Sequence, residues 1–408
     1  MPINYATIFS PVIDQALIAT LTSAPMQADA ADIKYEGGST IKLATITTSG
    51  LGNYDRATGY PTGAIDVDWV DYAFDKDRAI RLNIDKYDVD ETNFVDTVAN
   101  AVKVLREENT DPEIDAYRYA KVFSAVAGSS LAATPAPMEV YVPNKGDILT
   151  KLQDDMTAVQ DTVGETSPLI CYMSRQAYGV LSKSSEMDKI LQVLETNING
   201  VATKVKGLDS MPIIPVPSSR MRTAYTFNNG ASTFGFAAAA TAGKINWIIA
   251  PRGALKGVVK GDEVKVIEPA VNQSFSGWSI MFRLYHTLIV LSAKIPSMRI
   301  SFQPGTSALN VSVAKSTATS GATTAAATPG EGNKLGYKLT DASIGGTALK
   351  DVHISTLALD VEDYTSTHDI AATANQYLTV VQYNATTGLV LASNEKKLAA
   401  DDIGTGAA

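Results

Sequence analysis

The chain is 408 residues long, 45% hydrophobic and only 19% charged, with a formal net charge of −9. That size and apolar content allow more than one domain with a buried core and exclude a globally disordered chain. The acidic balance excludes a protein that wraps nucleic acid, because phosphate binding needs clustered Lys and Arg and no such basic run occurs.

The opening Met1-Pro2-Ile3-Asn4-Tyr5 lacks the basic stretch and apolar core of a signal peptide. Ser10 and Pro11 then read as an N-cap and a first helical residue. Ile13, Ala16, Leu17 and Leu21 follow at helical spacing, and Pro25 ends the pattern. This predicts a short amphipathic helix on a terminal arm, marginal by itself and in need of a surface to lie on.

Gly37-Gly38 opens a predicted strand, Thr40–Thr47, with Ile41, Leu43 and Thr45 on one face. Gly50, Gly52, Gly59, Pro61 and Gly63 punctuate a polar tip that carries Asn53, Tyr54, Asp55 and Arg56. The return runs, Ile65–Trp69 and Ile80–Asp85, alternate apolar and polar residues as half-buried strands do. A long two-stranded ribbon is barely stable in water. Its apolar face, including Trp69 and Phe74, needs cover, from the rest of the chain or, failing that, from a neighbouring subunit.

Asp90-Glu91 starts a predicted helix with Phe94, Val98, Ala101, Val102 and Leu105 on one stripe. Asp111-Pro112 kinks or restarts it, Ile114, Tyr117, Ala120 and Val126 continue it, and Gly128 closes it. Residues 139–251 read as α/β. Val140–Val142, Pro168–Met173, Met211–Val216 and Ile245–Ala250 are predicted strands. Ile148, Leu152, Met156 and Val159 share one helical face, Ser174 caps a short helix to Leu181, Met187–Leu194 is another helical piece, and Ser218–Gly230 is a polar loop. Beyond Pro251 the pattern is β: Val264–Ile267, Ser279–Leu291 and Met298–Phe302.

Composition shifts after Pro304-Gly305. The stretch Ser316–Pro329 is nearly all Ser, Thr, Ala and Gly, the chemistry of a linker or loop. Short β-like runs surround it: 309–313, 335–339, 377–383 and 389–391. Residues 305–408 are expected to form a separate small β domain with a polar tail.

Catalytic patterns are absent from the sequence. The single cysteine, Cys171, lies in an apolar run and reads as a small buried residue; scarcity of cysteine suits a reducing compartment. The three histidines, His286, His353 and His368, have no metal-ligand spacing, and neither a Cys-x-x-Cys nor a phosphate-cradling glycine motif occurs. Asp66, Asp68, Asp71, Asp75 and Asp77 resemble a cation site, but strand alternation accounts for much of their spacing. The apolar stretches 234–243 and 284–293 are too short to cross a bilayer. No enzyme, cofactor, metal or membrane placement is therefore expected.

The order of parts is similar to that of tailed-bacteriophage major capsid proteins with the Hong Kong phage-type shell fold. Asn4–Asp14 resembles the start of one branch of that family. Thr40–Lys42 through Asn53–Arg56 resembles its hairpin. Asp77-Arg78 through Ile84-Asp85 resembles the hairpin return, Pro112–Arg118 the spine helix, and Arg283–His286 a late β segment.

The resemblance implies an α+β shell fold over residues 1–304: an N-arm (1–35), an E-loop hairpin (36–87), a spine-helix peripheral domain (88–138 with 252–304) and an α/β axial domain (139–251). An all-β, Ig-like accessory domain (305–408) is added to it. It implies a structural protein that assembles with identical subunits into pentamers and hexamers of an icosahedral head around double-stranded DNA. That head would be a virion component built in the host bacterial cytoplasm, with a portal and a separate scaffolding protein as partners. The arm begins near Met1, which favours separate scaffolding or a segment removed earlier. The tip Gly50–Gly63 has no lysine, so the lysine–asparagine crosslink of some relatives is not expected. Tyr54, Arg56, Asp77 and Arg78 are the expected intersubunit contacts. Open alternatives are an encapsulin-type compartment, a surface adhesin with a glycan-binding β domain and, last, an enzyme using Cys171 with His286.

Overall fold

The computed structural model describes residues 21–28, 34–35, 40–54, 56, 59–60, 62–85, 102–129, 137–165, 167–184, 191–198, 201–208, 211–274, 276–330, 333–346, 348–364 and 367–405. The arm helix expected from Ser10 and the helix start expected at Asp90 lie outside them. The fold is mixed α and β, and the chain divides into two compact units, Met1–Asp111 with Gly253–Val290, and Pro112–Arg252 with Leu291–Ala408.

In the first unit Thr40–Thr48 pairs antiparallel with Ile65–Ala73 to make the expected ribbon, and Lys34–Tyr35 adds to its root. The chain then turns at Phe74 and enters a second antiparallel sheet, ordered Leu255–Ile267, Gly277–Val290, Lys76–Asp85. Leu82 and Ile84 alternate inward there and pack with Val102, Val264, Val266 and Ile280. Residues 102–104 are helical and run into a π-helical turn, Leu105–Thr110. The widening falls just before Pro112, whose missing N–H and bulky ring disrupt the regular hydrogen-bond ladder. The kink or restart expected at Asp111-Pro112 takes the form of a π-helical turn that runs into the next helix. Arg106 is buried beside it, with its guanidinium 5.2 Å from the centre of the Phe282 ring.

In the second unit a mixed sheet orders Met138–Val140, Arg299–Gln303, Lys244–Pro251, Leu169–Ser174, Met211–Val216, Val201–Leu208 and Leu191–Ile198 among the described residues. Two helices, α1 (Asp111–Ala127) and α2 (Ile148–Val163), sandwich it. Leu169, Cys171 and Met173 share a core with Leu149, Leu152, Met156 and Val159 of α2. On the opposite face Tyr172 meets Tyr119 and Phe302 meets Phe123, both from α1, at ring separations of 5.6 and 5.1 Å. A strand buried on both faces explains the uninterrupted apolar run around Cys171. Ser174 caps α3 (Arg175–Leu181) by accepting from the Ala177 amide at 3.3 Å, as expected.

Two local expectations fail here. Leu191–Leu194, read as helical, is the start of strand Leu191–Ile198, which pairs with Val201–Leu208. The Asn199-Gly200 dipeptide between them is a strong hairpin signal, and it outweighs a leucine spacing of three. Ser218–Gly230, read as a loop, contains strand Tyr225–Phe227, paired with Phe236–Ala238.

The C-terminal residues form two sheets around one core. Among the described residues one is ordered Ser312–Lys315, Ala322–Ala326, Thr367–Ala371, and the other Val361–Tyr364, Asn333–Thr340, Tyr377–Asn384, Val390–Lys397. Ala325, Ala327, Leu335, Tyr337, Ile370, Leu378 and Val380 fill the space between them. The stretch read as a linker is therefore partly strand. Ala325 and Ala327 point inward, where small side chains let the sheets close, and Thr323 turns its hydroxyl to the Ala314 carbonyl at 3.0 Å.

Candidate assembly surface

The ribbon is built from period-two alternation, and its apolar character changes face along its length. At the root Ile41 and Leu43, opposite Tyr72 and Val70, are buried within the unit. Farther out the apolar residues of the return strand, Ile65, Val67 and Trp69, occupy the other face. They are 76%, 50% and 50% exposed. A half-buried strand was expected here; the structure leaves the distal half open.

Ser49 closes the outer end: its amide donates to the Ala64 carbonyl at 3.0 Å, and the Ala64 amide donates to its hydroxyl at 2.9 Å. Beyond this clasp Leu51, Tyr54 and Tyr60 are exposed, the two tyrosine rings meeting edge to face at 5.1 Å. Arg56 is exposed beside them. Ile65, Val67, Leu51 and Tyr60 were not singled out as contacts. Period two reveals which residues share a face, but not which face lacks a partner.

The root is firm. Phe74, expected to need cover, finds it within the chain: it is buried at the corner between ribbon and sheet and stacks on Tyr285 at 4.4 Å and 21°. Lys260 Nζ lies 6.0 Å from its ring centre. Asp77, two residues into the following strand, accepts from Arg283 Nε at 2.9 Å and Nη2 at 2.6 Å. That bidentate bond holds the Asp77 carboxyl below its usual value. Arg78 lies next to Asp77 in the same strand and is half-buried. Tyr54 and Arg56 thus lie at the tip, while Asp77 and Arg78 lie at the root.

The other polar residues have structural roles. Lys42 approaches Asp71 within 3.7 Å. Among the described residues no group of three or more His, Cys, Asp or Glu side chains is placed to hold a metal ion. Cys171 is fully buried, and burial pushes its thiol well above the ordinary value, which leaves no reactive thiolate. His353 caps the short helix Ile354–Leu357, its Nδ1 accepting from the Ser355 amide at 3.2 Å. Among the described residues no helix is long and apolar enough to cross a membrane.

No protein-family model matches the chain, and no curated protein matches it. Solved structures do resemble it. The capsid of cyanophage P-SCSP1u is 12% identical over 67% of this chain and 85% of its own, with a TM-score of 0.44. The mature capsid of bacteriophage PhiM1 is 11% identical over 65% and 82%, at 0.43. The virus-like particle of Pyrococcus furiosus is 9% identical over 73% and 100%, at 0.41.

Proposed function

We propose that this chain is a shell subunit of the tailed-phage capsid type, a protein without enzymatic activity that works by tiling with copies of itself into a closed icosahedral wall. The observation that carries this reading is the distal ribbon: Ile65 and Val67 are exposed on one face, with Trp69 half-exposed beside them, above a root that is locked by Phe74 and Asp77. A rigidly rooted arm with an uncovered apolar face is a self-assembly device. Moving each of the three side chains fully out of water is worth about 1–2 kcal/mol, starting from half exposure, and the gain repeats at every subunit. Many such contacts, none strong alone, close a wall.

Tyr54 and Arg56 at the tip, and Asp77 and Arg78 past the root, are proposed as further contacts on the neighbour. Pentamers and hexamers of identical subunits, a portal and a separate scaffolding protein complete the proposed head of the virion, assembled in the host cytoplasm. With a net charge of −9, the wall contains DNA rather than gripping it.

The test is removal of residues 50–63, which the Ser49–Ala64 clasp allows because those two residues already bond to each other. Electron microscopy of the purified variant should show no regular shells. Shells that form as in the wild type would refute the proposal.

A further inference from the structure

The hairpin Tyr225–Phe227 with Phe236–Ala238 carries an apolar tip, Phe234, that is 69% exposed. Its strands are short, and a hairpin of that size is not stable alone. Its inner side is held by aromatic contact, Phe227 meeting Tyr117 of α1 edge to face at 6.2 Å. Its two feet are held differently. The Thr223 amide donates to the Gly243 carbonyl at 3.2 Å, and the Gly243 amide donates to Thr223 Oγ1 at 2.9 Å.

The C-terminal β module reaches these same feet. Lys350 Nζ donates to Thr241 Oγ1 at 3.2 Å. Asp351, one residue after Lys350, belongs to the same contact: its amide donates to the Val390 carbonyl at 2.8 Å. Gly305, two residues past the strand Arg299–Gln303, already bridges to Lys350. No length of chain is left to act as a tether. The backbones approach so closely that a Cβ on Gly305 would lie 1.9 Å from the Thr241 carbonyl oxygen, and one on Gly243 would lie 2.3 Å from that of Gln303. Only glycine fits at either position. Asp351 itself sits at φ 70, a left-handed conformation that Asp and Asn tolerate better than other side chains.

We propose that the C-terminal module is a brace: it clamps the feet of the aromatic hairpin through Thr241 and Gly243, and so fixes the direction in which Phe234 is presented. The module and the hairpin form one working element. The inference does not depend on the capsid reading.

Amide hydrogen exchange in the full chain tests it. Asp351→Ala and Lys350→Met should each speed exchange across residues 222–244 on the order of tenfold, the scale of one strained left-handed residue or one charge-assisted hydrogen bond. Asp351→Asn, which keeps the tolerance for the left-handed backbone at φ 70, should leave exchange near wild type. Gly305→Val, which forces the backbones apart, should act like Asp351→Ala. In every variant exchange in Leu169–Ser174 should stay slow. Unchanged exchange at 222–244 in all three disruptive variants would overturn the brace. So would faster exchange throughout the α/β core at the same time, which would mark general destabilisation.

Discussion

Trp247 is fully buried and donates its indole N–H to Asp155 at 2.8 Å, whereas Trp69 keeps half its surface in solvent. The two tryptophans carry opposite consequences. Because Trp69 is half exposed, replacing it by Asp should change the subunit's unfolding free energy by only about 1 kcal/mol, while shells should fail to form. A denaturant melt run beside electron microscopy checks both halves; normal shells from Trp69→Asp would contradict the role given to that side chain. Asp155 offers a pH test. Burial pushes its carboxyl up to about 6, aided by Glu139 and opposed by the Trp247 bond, Arg299 and Lys151. The folded state therefore holds this proton more tightly than the unfolded chain. The resulting stabilisation is complete below the ordinary carboxylate value and is lost as pH rises through about 6. Asp155→Asn keeps an acceptor for Trp247 without the titration, so the wild type should lose roughly 2 kcal/mol relative to it between about pH 4 and about pH 7.5. Parallel stability curves for the two proteins would contradict this. Several residue roles were legible in the sequence, among them the Ser174 cap and the inert Cys171, because each follows from local chemistry. The contrast between the tryptophans was not, because alternation does not say what covers a face.

At the scale of elements, the ribbon's corner does the positioning. Phe74→Ala removes the stack on Tyr285 and leaves a cavity, at a cost of about 3–4 kcal/mol. It should lower the melting temperature of the subunit and speed exchange in Thr40–Thr48 and Ile65–Ala73; an unchanged melting temperature would show that the corner is not held there. Long elements with strong periodicity were readable: the ribbon, the strand 80–85, and helices α1 and α2. Elements built from small or ambiguous residues were not. Leu191 and Leu194 mimic a helical stripe, yet their strand is set by its antiparallel pairing with Val201–Leu208. Ala322–Ala326 looks like linker because alanine and threonine carry little apolar signal. The sheets of the module need small side chains at that point, and only the packed core makes that visible. The hairpin at Tyr225 was hidden for a similar reason, since its strands are short and its support comes from α1 and the C-terminal module.

At the scale of the whole chain, the described parts contrast complete interiors with a ribbon face that is not covered to the same degree. The α/β lobe and the C-terminal sandwich each bury a full core of their own side chains, while the distal ribbon leaves its apolar face open. Copies of the chain supply the missing cover in the proposed shell. Hydroxyl-radical footprinting of Trp69, read by mass spectrometry in dissociated subunits and in assembled particles, measures that cover directly. Oxidation of Trp69 should drop sharply on assembly. Closed particles in which Trp69 is oxidised as readily as in free subunits would contradict the account.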